Sequence, residues 1–210
     1  VKNKKIYIKN KNTNKDYLLK LTDIEDRGDS YNSAPFGNRK EITLIKSEIL
    51  YKGEIQSALR LYFKDIRIDV IVGNYSKHLQ FHSDINNKKK NHKIQIAIVF
   101  DKYVQKTVAQ DAIALISRTH NPDYDIRDYM PAFRPYELKT NCYPMQNFVS
   151  CQEVSLLTKG LHEYEIFQNE LRKGSFSEKS EKTMDRHCGL PGRAAVRRDP
   201  LSLERVQKQH

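Results

Sequence analysis

The sequence predicts an all-β chain, an antiparallel β-sandwich, on three observations. Apolar residues alternate with polar ones at period two in several separate runs. Clusters rich in Asn, Gly, Asp and Lys separate these runs as turns. No long stretch of helical periodicity competes with them. Short strands at this turn spacing bury their apolar faces by stacking two sheets.

Taken in chain order, Ile6 and Ile8 followed by Tyr17, Leu19 and Leu21 predict a hairpin around the polar run Asn10-Lys11-Asn12-Thr13-Asn14. Ile55, Ser57, Leu59, Leu61 and Phe63 share one strand face, with Gln56, Ala58, Arg60, Tyr62 and Lys64 on the other. Ile66, Ile68, Val70 and Val72 form the next face, and Ile94, Ile96, Ile98 and Phe100 a third. Lys64-Asp65, Gly73-Asn74 and the polar stretch 86–91 break these runs. Phe148 to Leu157 and His162 to Phe167 predict two more strands, joined by Lys159-Gly160. Between Ser117 and Leu138 the alternation fails among Asn121-Pro122, Asp123, Asp125, Asp128, Met130-Pro131 and Arg134-Pro135, which predicts a long irregular loop. After Lys182 there is no Ile or Tyr and Arg replaces Lys as the main cation. We expect a sandwich domain over 1–175 and a disordered or non-native, unstructured C-terminal tail over 176–210.

The 210 residues suit one large all-β domain, and 38% apolar content supplies a core despite 30% charged residues. The net charge of +11 raises the question of nucleic acid, but the lysines are scattered. The one dense run, Lys88-Lys89-Lys90, sits between asparagines as a solvated turn, so no nucleic-acid partner is expected. Cys142, Cys151 and Cys188 form no C-x-x-C pair, and an odd number leaves one unpaired in any disulfide scheme, which points to a reducing compartment. No apolar run nears the roughly 18 residues of a membrane helix and no signal pattern opens the chain. A soluble, cytoplasmic protein with no membrane partner is the expectation. The first residue is Val, and we expect the chain to belong to a longer polypeptide.

The segment EDRGDSYNSAP, Glu25 to Pro35, concentrates acids, a glycine and a tyrosine. Its Arg27-Gly28-Asp29 matches an integrin tripeptide, but three residues recur by chance and nothing else looks secreted. Asp23, Glu25, Asp26 and Asp29 supply oxygens for calcium without the order of an EF-hand loop or its closing acid. A glycosidase pair needs two carboxylates about 5 to 9 Å apart across a sugar, which this local sequence does not define. Asp26 and Asp29 read as turn formers. His78 and His82 would share a helix face as zinc ligands, but on a strand that spacing separates them by about 13 Å. His92, His120 and His162 show no ligand spacing, and no G-x-S-x-G elbow anchors a triad.

Three stretches together resemble one family. Residues 26–35, DRGDSYNSAP, are similar to the D-x-G-D-x-Y-x-x-x-P segment that opens the C-terminal β-domain of glycoside hydrolase family 38 α-mannosidases. Residues 143–149, YPMQNFV, resemble that domain's P-M-Q-x-F-V strand, and 156–166, LLTKGLHEYEI, its L-x-N-x-G-L-x-E-Y-E-V. Order and spacing agree over about residues 1–175, and the tail beyond Leu171-Arg172-Lys173-Gly174 departs from the pattern.

The resemblance implies a galactose-mutarotase-like sandwich in an α-mannosidase whose N-terminal catalytic domain, absent from these residues, holds zinc and an Asp nucleophile and acts with retention. It implies no catalytic residue, metal or other cofactor in this chain, and inactivity of the chain alone. Partners expected from it are that catalytic domain and a mannose-containing saccharide, with homo-oligomerisation left open. It places Tyr31, the tyrosine of the G-D-x-Y type segment, beside the sugar, with Asp29 in the same turn. The corresponding arginine is Arg134, with Arg127 in reserve. The alternative is a non-catalytic carbohydrate-binding or assembly module.

Overall fold

The computed structural model describes residues 1, 4–26, 35–121, 123, 141–159 and 161–176. Among these residues every regular element is a strand, and all pairings are antiparallel. The structure is an antiparallel β-sandwich built from three sheets.

The largest sheet begins with the predicted hairpin. β1 (Ile6–Asn10) and β2 (Lys15–Asp26) pair Ile8 with Tyr17. The turn closes because Asn10 Oδ1 accepts from the backbone N–H of Asn12 at 3.0 Å, while Asn14 takes a left-handed φ of 54° that asparagine tolerates. β8 (His92–Val99) lies along one edge of β2 from Leu18 to Glu25. β1 and β3 (Pro35–Glu41) therefore share the other edge end to end, β3 taking Thr22 to Asp26. Beyond β8 come β15 (Glu170–Phe176), β14 (Glu163–Phe167) and β11 (Cys142–Pro144).

The second sheet is a meander of β4 (Lys46–Lys52), β5 (Gln56–Phe63), β6 (Ile66–Gly73) and β7 (Leu79–Ile85). The third runs β10 (Leu115–Thr119), β9 (Lys106–Gln110), β12 (Phe148–Cys151) and β13 (Val154–Leu157). One apolar cluster joins all three sheets. It unites Leu19, Leu21, Ile98, Ile166 and Leu171 of the large sheet with Leu61 and Ile68 of the second and Ala109 and Val149 of the third. Period-two alternation supplies these contacts, since every second side chain of β2, β5, β6 and β8 points the same way.

Three expectations change. The run Phe148 to Leu157 is not one strand but the hairpin β12–β13, turning at Gln152-Glu153 with Gln152 at φ 49°. A turn of only two residues leaves the apolar run unbroken, so alternation alone could not locate it. Ser117 lies within β10, so regular structure persists to Thr119. Ile55 precedes β5 and is exposed. Residues 170–176, at the end of the expected sandwich domain, form β15 between β8 and β14 in the middle of the large sheet. Most of the irregular stretch, Gly160 and residues 177–210 lie outside the described residues.

Leu171 is wholly buried at the centre of that sheet. Leu171→Ala is expected to lower unfolding stability by about 2 to 5 kcal/mol in urea titration, while Leu157→Ala at an exposed position stays within about 0.5 kcal/mol.

Candidate functional site

β2 changes its buried face partway along. Tyr17, Leu19 and Leu21 face the apolar core, whereas Thr22, Ile24 and Asp26 are buried on the reverse side of the sheet. Register carries this reverse face across neighbouring strands: Thr22 lies opposite Gln95 and Gln95 opposite Gly174, while Lys20, Ala97, Arg172 and Glu165 form the next row.

The reverse face is polar. Arg172 donates to Glu165 at 3.0 Å and to Glu170 at 2.6 Å, and Lys20 reaches Glu170 at 3.0 Å. Arg39 of β3 contacts Gln95 and pairs with Glu165 at 3.2 Å. Three strands separate β3 from β14, about 19 Å in a flat sheet, farther than the two side chains and their contact can span. The sheet therefore curls toward this face, which is concave.

Lys93 occupies the centre of the concavity with a side chain 2% exposed. Its ammonium lies 3.2 Å from Glu163 Oε1 and 3.4 Å from Cys142 Sγ, on strands beyond β15. It reaches them over Gly174, where an added Cβ would stand 2.6 Å from Lys93 Cε and 3.4 Å from Gln95 Cγ. Burial opposes the charge on Lys93, yet the carboxylates of Glu163, Glu165 and Asp26 around it hold its pKa above the ordinary lysine value. Burial likewise pushes against ionisation of Glu165, but Arg172, Arg39 and Lys93 prevail and bring its pKa to about 2. Glu170 is also held low against burial by Arg172 and Lys20. Every carboxylate in this group is thus matched with a cation, which suits it to holding geometry rather than to moving protons.

On the sandwich side, Lys173 donates to the carbonyls of Leu161 and Glu163 and to Met145 Sδ, and burial lowers its pKa to about 8. Nearby, Thr107 Oγ1 lies 2.8 Å from both His120 Nε2 and Tyr164 Oη. These contacts make His120 part of a buried polar cluster between sheets. His92 Nδ1 lies 2.8 Å from Asp23 and Lys89 contacts the same carboxylate, so the Asp23 oxygens are already engaged by side chains. His78 and His82 are exposed. Among the described residues no three His, Cys, Asp or Glu side chains converge as a metal site, and no helix is long and apolar enough to cross a membrane.

Asp29, Tyr31, Arg134 and the reserve Arg127 lie outside the described residues. The strands nevertheless locate the ends of their segments. Asp26 and Pro35 are opposed in the β2–β3 ladder, so residues 27–34 form the connection of that hairpin. Residues 124–140 end at Asn141, whose carbonyl accepts from Ile166 N–H at 3.0 Å, followed by Cys142. Cys142 lies 3.4 Å from the Lys93 ammonium and Asp26 adds to the negative field there, so one end of each segment lies near this buried charge. Sequence reading did not single out Lys93 or Gly174, since their relation exists only across strands distant in the chain.

The structure is similar to the crystal structure of an alpha-mannosidase from Enterococcus faecalis V583, with a TM-score of 0.67 and 15% identity over 82% of this chain and 24% of that one. It is also similar to a protein in the glycosyl hydrolase family 38 from Enterococcus faecalis, with a TM-score of 0.64 and 16% identity over 81% and 24% of the respective chains. At this identity the likeness establishes the fold, the β-sandwich that forms part of those proteins. The chain spans about a quarter of their length. No protein-family model matches the sequence, and no curated protein gives a significant match.

Two outcomes follow from the concave face. Gly174→Ala drives a methyl group into Lys93 where that side chain is held at both ends, and urea titration is expected to show a loss of about 1 to 3 kcal/mol. Because Glu165 titrates at about 2 when folded, below its unfolded value, the unfolded state takes up the proton first as pH falls. Its stabilisation is complete above about pH 5 and lost toward pH 2, amounting to about 3 kcal/mol. Urea midpoints measured down the acid range should therefore fall less steeply in Glu165→Gln, from a lower starting stability at pH 7.

Proposed function

We propose that this chain is the accessory β-sandwich portion of an α-mannosidase-like retaining glycoside hydrolase, helping to wall the sugar site of a catalytic domain that these residues do not include. The observation carrying this reading is the fold likeness over four-fifths of the chain to about a quarter of an α-mannosidase chain. The charge-matched concave face adds support, because it offers anchoring for the two connecting segments without a carboxylate poised as acid, base or nucleophile.

In this reading the Tyr31 hydroxyl hydrogen-bonds a sugar oxygen, Arg134 donates to the same ligand and Asp29 steadies the turn. The saccharide contains mannose, the principal partner is the N-terminal catalytic domain, and the setting is cytoplasmic. Zinc in that domain would supply Lewis-acid polarisation. No described side-chain cluster of this chain fits a metal, and no step performed by these residues passes through it.

The test uses the polypeptide translated from the whole reading frame around this segment, assayed with 4-nitrophenyl α-mannoside. Hydrolysis is expected, with Tyr31→Phe lowering kcat/KM by about 10- to 100-fold through loss of a hydrogen bond tightened in the transition state. No hydrolysis by the whole polypeptide, or full activity in Tyr31→Phe, overturns the assignment.

A further inference from the structure

At the opposite end of β8 from Asp26, about 25 Å along the strand, the large and third sheets leave a cleft of about 930 Å³. Asp101, Lys102, Tyr103, Gln105, Lys106, Gln152 and Asn169 line it. Three connections converge there: the β8–β9 segment and the tight turns of β12–β13 and β14–β15.

The cleft is preformed. Phe100 N–H donates to Asn169 O and Val104 N–H to Gln168 O, each at 2.9 Å. Gln152 Nε2 donates to Lys102 O at 3.1 Å, and Asn169 Nδ2 to Phe100 O at 2.6 Å. Phe100 and Val104 are buried on either side of Tyr103, a residue that is itself 55% exposed. Tyr103 is therefore an aromatic surface presented on a pinned segment, which reduces the ordering cost of binding.

The lining chemistry selects the ligand. It offers one aromatic face, three amide side chains, one carboxylate and two ammonium groups, with no aliphatic side chain among them. The side chains of Asp101, Tyr103 and Gln105 make no hydrogen bond or ion pair with other described residues. A lipid or apolar ligand would meet charged and amide groups on most sides, and a single carboxylate is too few for a metal. Asp101 offsets one of the two lysines, leaving little field for a polyanion. A ring with both an apolar face and many hydroxyls fits: it can stack on Tyr103 while amides and the carboxylate exchange hydrogen bonds with it.

We propose that this cleft is a neutral-saccharide binding site, separate from the Tyr31 end of the molecule. It holds a carbohydrate chain without turnover, and only the choice of mannose as the sugar rests on the mannosidase reading.

The test is an amide NMR titration of the 210-residue chain with α-linked mannotriose, and separately with inorganic phosphate. Mannotriose on the order of 10 mM is expected to shift residues 101–106, 152 and 169 saturably, while phosphate does not. Tyr103→Ala should weaken this binding by about tenfold or more with its thermal midpoint unchanged. Absent shifts, shifts confined elsewhere, equal shifts with phosphate, or unaltered binding by a folded Tyr103→Ala overturn the proposal. Absence of mannosidase activity in the unaltered whole polypeptide, with saccharide binding intact, would refute the mannosidase reading and leave this proposal standing.

Discussion

The large sheet depends on one buried ammonium. Lys93 is enclosed on the concave face, where a charge persists only if opposite charges and acceptors surround it. Glu163 and Cys142 stand on strands beyond β15, and the missing side chain of Gly174 leaves the route to them open. The same strand thus contributes Leu171 to the apolar core on one side and a gap to the ionic group on the other. Curling of the sheet brings Arg39 and Glu165 together and completes the enclosure.

Charge is organised by face rather than by net amount. The chain carries +11, yet the concave side matches cations with carboxylates. The outer side of the second sheet is laced by cross-strand pairs, with Arg60 donating to Asp69 at 2.6 Å and Arg67 to Asp84 at 3.0 Å. The buried pairs specify which strands meet, because separating one leaves an uncompensated charge. Burial also pushes the Cys142 and Cys151 thiols up to about 12, so both are neutral packing groups rather than nucleophiles.

The two proposed sites lie toward opposite ends of β8. Near Lys93 lie Asp26 and Cys142, which border the chain segments that contain Tyr31 and Arg134. Near Tyr103, hydrogen bonds from turns of two sheets hold an aromatic ring toward solvent. Both arrangements use a rigid scaffold to position chemistry carried by connections, since strands lock backbone geometry and connecting segments leave side chains available to ligands.

Period-two alternation made the β1–β2 hairpin and the strands β5, β6 and β8 legible, because side-chain direction on a strand follows from chain position alone. The Asp26-to-Pro35 segment was legible as a strand connection, and β2–β3 pairing gives its ends their place. The β12–β13 turn was hidden by its brevity, and β15 by its charged residues Glu170, Arg172 and Lys173, which alternation reads as solvated. By itself the sequence determined strand propensity, the apolar stripe of each strand and the residue types available for chemistry. Only the tertiary structure decided that Lys93 passes over Gly174, that Arg39 meets Glu165, and that Tyr103 faces a cleft. Each of these relations joins residues far apart in the chain, through strand order and sheet curvature that no local pattern encodes.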